Sequence, residues 1–163
     1  MILIAFGANR SGALGPPRAT IEVAMGNLAQ EAGKIVARSR FYRSAPVPAS
    51  AQPWYVNAVA ALDTRLAPED LLALLDRIET RLGRARREPN AARVIDLDLL
   101  DYQGLIRDHP PILPHPRMHM RAFVLLPLAE IAPGWMHPSL GLSVEQLIAR
   151  LPPDQTAEPI EDR

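Results

Sequence analysis

Arg93-Val94-Ile95-Asp96-Leu97-Asp98-Leu99-Leu100 sets two acids into a stretch otherwise suited to a buried strand. Alternate side chains of a β-strand point to opposite faces, so Val94, Asp96, Asp98 and Leu100 share one face while Ile95, Leu97 and Leu99 share the other. Two carboxylates one strand repeat apart repel each other unless a cation or a proton lies between them. A divalent cation is the natural candidate. On the period alone, an edge strand carrying acids on its solvated face is the plainer alternative.

The segment upstream changes the weighting. Pro68-Glu69-Asp70 opens a helix with proline in the first turn and acids at the positive end of the helix dipole, and Leu71, Leu74, Leu75, Ile78 and Leu82 form its apolar stripe. Gly83 ends it, and Arg84-Ala85-Arg86-Arg87-Glu88-Pro89-Asn90 is too polar and broken to be core. A basic loop therefore runs directly into the acidic strand. Guanidinium groups beside metal-binding carboxylates suit a polyphosphate, whose oxygens bind both.

Further out, Met1 to Phe6 reads as a first buried strand closed by the turn residues Gly7-Ala8-Asn9-Arg10-Ser11-Gly12. That loop lacks both the G-x-x-x-x-G-K-[ST] and the G-x-G-x-x-G patterns and reads as a plain turn. Ile21, Ala24, Met25, Leu28 and Ala32 recur at helical spacing from about Pro17. Ile35 to Arg43 predicts a second strand, and Trp54 to Leu62 a third with Tyr55 and Asn57 on one face. Beyond Gly104, four prolines between 110 and 116 favour extended or looped chain, followed by short helices near Val124–Leu128 and Val144–Leu151. His115 and His119 are four apart, but Pro116 follows His115 where H-E-x-x-H has Glu, which excludes a zinc-protease motif.

The order strand, helix, strand, strand, helix, strand predicts an α+β fold of ferredoxin-like type: a mainly antiparallel, four-stranded sheet with helices covering one face, and the other face left for ligands. One domain is expected over 1–151, followed by a polar, frayed tail over 152–163.

Composition narrows the class. The 163 residues contain no cysteine, which excludes disulfides and thiolate metal sites. There is no long apolar run or signal-like segment, so a soluble cytoplasmic protein without membrane partners is expected. A net charge of zero argues against bulk attraction to nucleic acid. Lys34 is the only lysine among the 18 basic residues, a bias that GC-rich coding would also produce.

Taken with Glu79, Gly83-Arg84-Ala85-Arg86, Tyr55-Val56-Asn57-Ala58, Pro114-His115, Ala5-Phe6-Gly7-Ala8-Asn9 and Phe41-Tyr42-Arg43-Ser44, the opening stretch resembles the 6-hydroxymethyl-7,8-dihydropterin pyrophosphokinases of folate biosynthesis over residues 2 to 150. The resemblance implies transfer of pyrophosphate from ATP to the pterin hydroxymethyl group, with release of AMP. It implies that Asp96 and Asp98 hold two Mg²⁺ ions and that Arg84 and Arg93 stabilise charge near the transferred group. Glu79, Arg84, Arg86, Leu99, His115 and Arg121 would lie on the ATP side. Tyr55 and Phe123 would sandwich the pterin, with Ser44, Ala45, Val47, Asn57 and Asp96 completing its site. A monomer acting on ATP and a dihydropterin is expected, with no nucleic acid.

The chain departs from the family pattern in three places. Glu88-Pro89-Asn90-Ala91-Ala92 precedes Arg93 where many members have an aromatic residue and a Gly-Pro pair, Asp76 stands where some have glutamine, and Pro116 where some have an aromatic. Two other readings stay open, a non-catalytic ligand- or RNA-binding module of ferredoxin-like type and an inactive paralogue.

Overall fold

The computed structural model describes residues 1–84 and 92–161. Its central sheet contains β1 (Ile2–Ala8), β2 (Gly33–Arg38), β3 (Tyr42–Ser44), β4 (Tyr55–Thr64), β5 (Asp96–Tyr102) and β6 (Ala157–Pro159). The helices are α1 (Pro17–Glu31), α2 (Pro68–Arg81), α3 (Ala122–Ile131) and α4 (Val144–Ala149). All pairings between these strands are antiparallel, in the order β5-β1-β4-β3-β6, with β2 also pairing β4. The α+β, ferredoxin-like arrangement expected from the sequence is what the chain adopts.

Six strands replace the expected four for two reasons. The run predicted as one strand from Ile35 to Arg43 is split, because Arg38 pairs Ala60 while Tyr42 pairs Asn57, so four steps on one strand face three on the other. Ser39 spans the bulge: its Oγ accepts from the Val59 backbone N–H at 3.0 Å, and its own N–H donates to the Val59 carbonyl at 2.9 Å. The second addition comes from the tail. Ala157–Pro159 does not fray but pairs with β3, and Ile160 N–H donates to the Phe41 carbonyl at 2.8 Å.

Alternation along the strands builds two apolar clusters. Ile4, Phe6, Ala58, Ala60, Leu97 and Leu99 face α1 and α2, which bury Ile21, Met25, Leu28, Leu71, Leu74, Leu75 and Ile78 against them. Helices thus cover this face, as the sequence predicts. The opposite face carries an addition: α3 and α4 lay Val124, Leu125, Leu128, Val144 and Leu147 over Leu3, Val59, Ala61 and Leu100. That cover is partial. Along the same face the residues beyond it are Ala5, Gly7, Asn57, Asp96 and Asp98, and they line an open cavity.

Candidate active site

Register places the cavity floor. Gly7 pairs Asp96 on one side and Asn57 on the other, while Ala5 pairs Asp98 and Val59. Small residues on β1 thereby separate the acids on β5 from the amide on β4. A Cβ built on Gly7 would lie 3.1 Å from Asn57 Nδ2, so any larger residue crowds the amide. Asn57 is 4% exposed and its Oδ1 accepts from Ser44 Oγ at 2.6 Å. Its amide nitrogen is left on the cavity side with no partner among the described residues. The Ser44 side chain is occupied in this bond and does not line the cavity, whereas Ala45, Val47, Tyr55, Arg93, Asp96, Asp98, Arg121 and Phe123 all do.

Asp96 and Asp98 also line a second cavity, with Leu72, Asp76, Glu79, Arg84, Leu99 and His115. These two carboxylates are the residues common to both walls. The first cavity holds 250 Å³ and the second 280 Å³. Burial pushes the Asp96 carboxyl up, Asp98 adds to the effect, and Arg93, Arg84 and Arg121 pull it back down. Asp98 is raised by burial against the pull of Arg121 and Arg84. Among the described residues no hydrogen bond reaches either carboxylate. Two partly desolvated acids with few protein donors form a set that a hard divalent cation would satisfy.

Glu79 is buried at the base of this wall. Its Oε1 accepts from the Leu97 backbone N–H at 2.7 Å, between the two aspartates, and its Oε2 accepts from Arg84 Nη1. Burial raises its pKa from 4.5 to about 7 despite those donors. The exposed Arg84 guanidinium is thereby tied to the strand that carries the acids.

Arg93 is clasped through its backbone. Its carbonyl accepts from the N–H groups of Asn9 and Arg10 at 3.0 and 3.1 Å, and its N–H donates to Asn9 Oδ1 at 2.7 Å. Asn9 Nδ2 in turn donates to Gln52 Oε1 and to the Pro53 carbonyl, each at 3.1 Å. Asn9 therefore joins three segments around the cavity. The sequence reading gave it no such role, because partners 43, 44 and 84 positions away leave no local signal. Arg117, which lines the first cavity, was likewise missed.

His115 lies in the second cavity, where burial, with Arg121 and Arg117 nearby, lowers its pKa from 6.5 to about 4. Its Nδ1 accepts from the Arg117 N–H at 3.1 Å, which leaves the proton of the neutral ring on Nε2. The Arg121 guanidinium lies 5.4 Å from the Phe123 ring centroid, and burial lowers its pKa against the attraction of Asp98. Arg86 and most of the 84–93 loop lie outside the described residues.

A family model described as 7,8-dihydro-6-hydroxymethylpterin-pyrophosphokinase matches residues 3–133. A 2-amino-4-hydroxy-6-hydroxymethyldihydropteridine pyrophosphokinase from Methylorubrum extorquens is 42% identical over 142 residues, which cover 86% of this chain and 89% of the relative. A protein of the same name from Pseudomonas aeruginosa is 40% identical over 153 residues, covering 93% and 91%. A crystal structure of Plasmodium falciparum HPPK-DHPS aligns with a TM-score of 0.72 at 13% identity, a likeness of fold, and this chain covers 44% of that longer one. With the family model matched over most of its length and close relatives matched nearly end to end, the chain belongs to the 7,8-dihydro-6-hydroxymethylpterin-pyrophosphokinase family.

Proposed function

We propose that this chain transfers the β,γ-pyrophosphoryl group of ATP to the hydroxymethyl oxygen of 6-hydroxymethyl-7,8-dihydropterin. One observation carries the assignment of the two sides: Asp96 and Asp98 are the wall between a cavity lined by Tyr55, Asn57 and Phe123 and a cavity lined by Glu79, Arg84 and His115. The pterin belongs in the first and the nucleotide in the second. The hydroxymethyl oxygen attacks the β-phosphorus, the bond from that phosphorus to the oxygen bridging the α-phosphorus breaks, AMP leaves and the hydroxyl proton is released.

Asp96 and Asp98 would hold two Mg²⁺ ions, which would supply charge neutralisation for the triphosphate. The side chains do the rest by position and charge, which is the main source of rate in phosphoryl transfer. Arg84, Arg93 and Arg121 face charge that builds up on the phosphoryl oxygens. His115 stays neutral at pH 7 and donates from Nε2 to the nucleotide. Tyr55 and Phe123 take the flat faces of the pterin, while Asn57, held by Ser44, presents its amide N–H to an acceptor on the heterocycle edge. The backbone beside Ala45 and Val47 completes that edge, and Leu99 adds apolar wall on the nucleotide side.

Coupled detection of AMP from ATP, Mg²⁺ and the dihydropterin tests this function. Stoichiometric AMP and pterin diphosphate are expected, and folded protein that binds both substrates without turnover would overturn it.

A further inference from the structure

A third cavity opens beside the reaction site, and most of its lining has no part in the chemistry above. It holds 720 Å³, more than either reaction cavity, and lies between α4, the turn at Met118–Met120 and the segment around Leu140. Leu140, Leu142 and Leu147 supply an apolar wall, and Arg117 and Arg150 stand over it. Both arginines are exposed and form no ion pair among the described residues, and no Asp or Glu lines the cavity. His119, also in the lining, keeps Nδ1 buried with no hydrogen-bond partner among the described residues. Gln155, by contrast, is fully engaged: its Oε1 accepts from Ala122 N–H at 2.9 Å and its Nε2 donates to the Met120 carbonyl at 2.7 Å, which fixes one rim.

A leucine wall selects an apolar body, and unpaired guanidinium forks select a planar anion such as a carboxylate or a sulfonate. The cavity volume falls within the usual range of small-ligand sites, about 300 to 1,000 Å³. Wholly apolar ligands would leave the charges unanswered, and a bare inorganic anion would leave the leucines wet. We infer that this groove is a second ligand site, specific for a small aromatic anion whose ring packs on Leu140, Leu142 and Leu147 and whose acidic group is held by Arg117 and Arg150. Val47, Arg117 and Arg121 line both this groove and the pterin cavity, so the two sites share a wall.

Naphthalene-2-sulfonate is a suitable probe, titrated into isotope-labelled protein and followed by amide chemical shifts. Saturable shifts centred on Leu140, Leu142 and Leu147 are expected. They should persist when α,β-methylene ATP, Mg²⁺ and the dihydropterin fill the reaction site. The uncharged analogue 2-naphthyl methyl sulfone should bind at least tenfold more weakly. Arg150→Glu and Leu140→Glu change exposed residues outside the reaction machinery. Each should weaken the sulfonate at least tenfold while leaving kcat and both KM values unchanged without probe. Shifts confined to Tyr55 and Phe123, equal binding of the neutral analogue, loss of binding once the reaction site is filled, or wild-type affinity in both variants would each overturn the proposal.

Discussion

Strand β5 carries three aspartates, and its two ends treat them in opposite ways. Asp101, 4% exposed, accepts from Trp135 Nε1 at 2.9 Å and from Gly104 N–H at 2.9 Å, so its charge is answered by the protein. Asp96 and Asp98 receive no such donors among the described residues, and burial raises both. Neighbouring strands repeat the division. Leu3, Val59 and Leu100 pack beneath α3 and α4, whereas Ala5, Gly7 and Asn57 line the open cavity. An acid completed by protein donors serves the fold. An acid left incomplete costs stability, and under the function proposed above it is the acid that would take a cation.

The largest effect should come from the incomplete pair. Asp96→Ala and Asp98→Ala should each lower turnover by about 10²- to 10³-fold, on the scale of losing a charge-stabilising group. Asp98→Asn should also raise the Tm in metal-free buffer, since it removes a desolvated charge of raised pKa; a lower Tm would mean that the acid is structural after all. On the covered half, Leu100→Ala should cost about 2–5 kcal/mol in denaturant unfolding, because Leu100 is 1% exposed beneath α3. Its kcat should change far less than that of either aspartate variant.

Trp135→Phe strips Asp101 of one donor and should cost about 1–3 kcal/mol, read from the midpoint of urea unfolding. If Asp101 were as tolerant of missing donors as its two strand-mates, the variant would unfold with the wild type, and the contrast between the ends would fail.

The effect hardest to see at neutral pH concerns titration, because it appears only as the pH falls below 6.5. His115 titrates near 6.5 when unfolded and at about 4 when folded, so its neutral form contributes stability that is complete above pH 6.5 and is lost as the pH falls toward 4. His115→Gln should flatten the fall in metal-free Tm across that window, leaving the Tm above pH 7 little changed. An identical pH profile in the variant would show that the ring charges freely in the folded state.

The strand with the acids was legible because it alternates closely from Asp96 to Leu99, before a register shift against β1 near Leu100, and the helix α2 because it follows its period throughout and is bounded by local punctuation. Leu71, Leu74, Leu75 and Ile78 mark the helix, and Gly83 its end. The gap between β2 and β3 was not legible. It depends on Ser39 bonding to Val59, twenty positions away, in a run whose composition favours one strand. Residues 157–159 read as polar tail because Glu158 and Pro159 say nothing about a partner, yet β3 offers a free edge and Arg43 pairs with Glu158. At the site, the aspartates announced themselves by chemistry alone. The resemblance supplied Tyr55, Asn57, His115 and Phe123, while Asn9 required the folded positions of three separate segments.

The pairing of β6 with β3 has a practical side. Thr156 accepts from the Ala45 N–H at 3.2 Å, and Ser44, which orients Asn57, pairs with Ala157. The last strand therefore braces the strand whose Ser44 holds Asn57 at the edge of the first cavity, the side proposed above for the pterin. Removing everything after Leu151 would spare Asp96, Asp98 and most of the core, but it would loosen the grip on Asn57. An enzyme shortened in that way should keep its affinity for the nucleotide and lose discrimination among pterins, a defect visible in substrate selectivity before it is visible in rate.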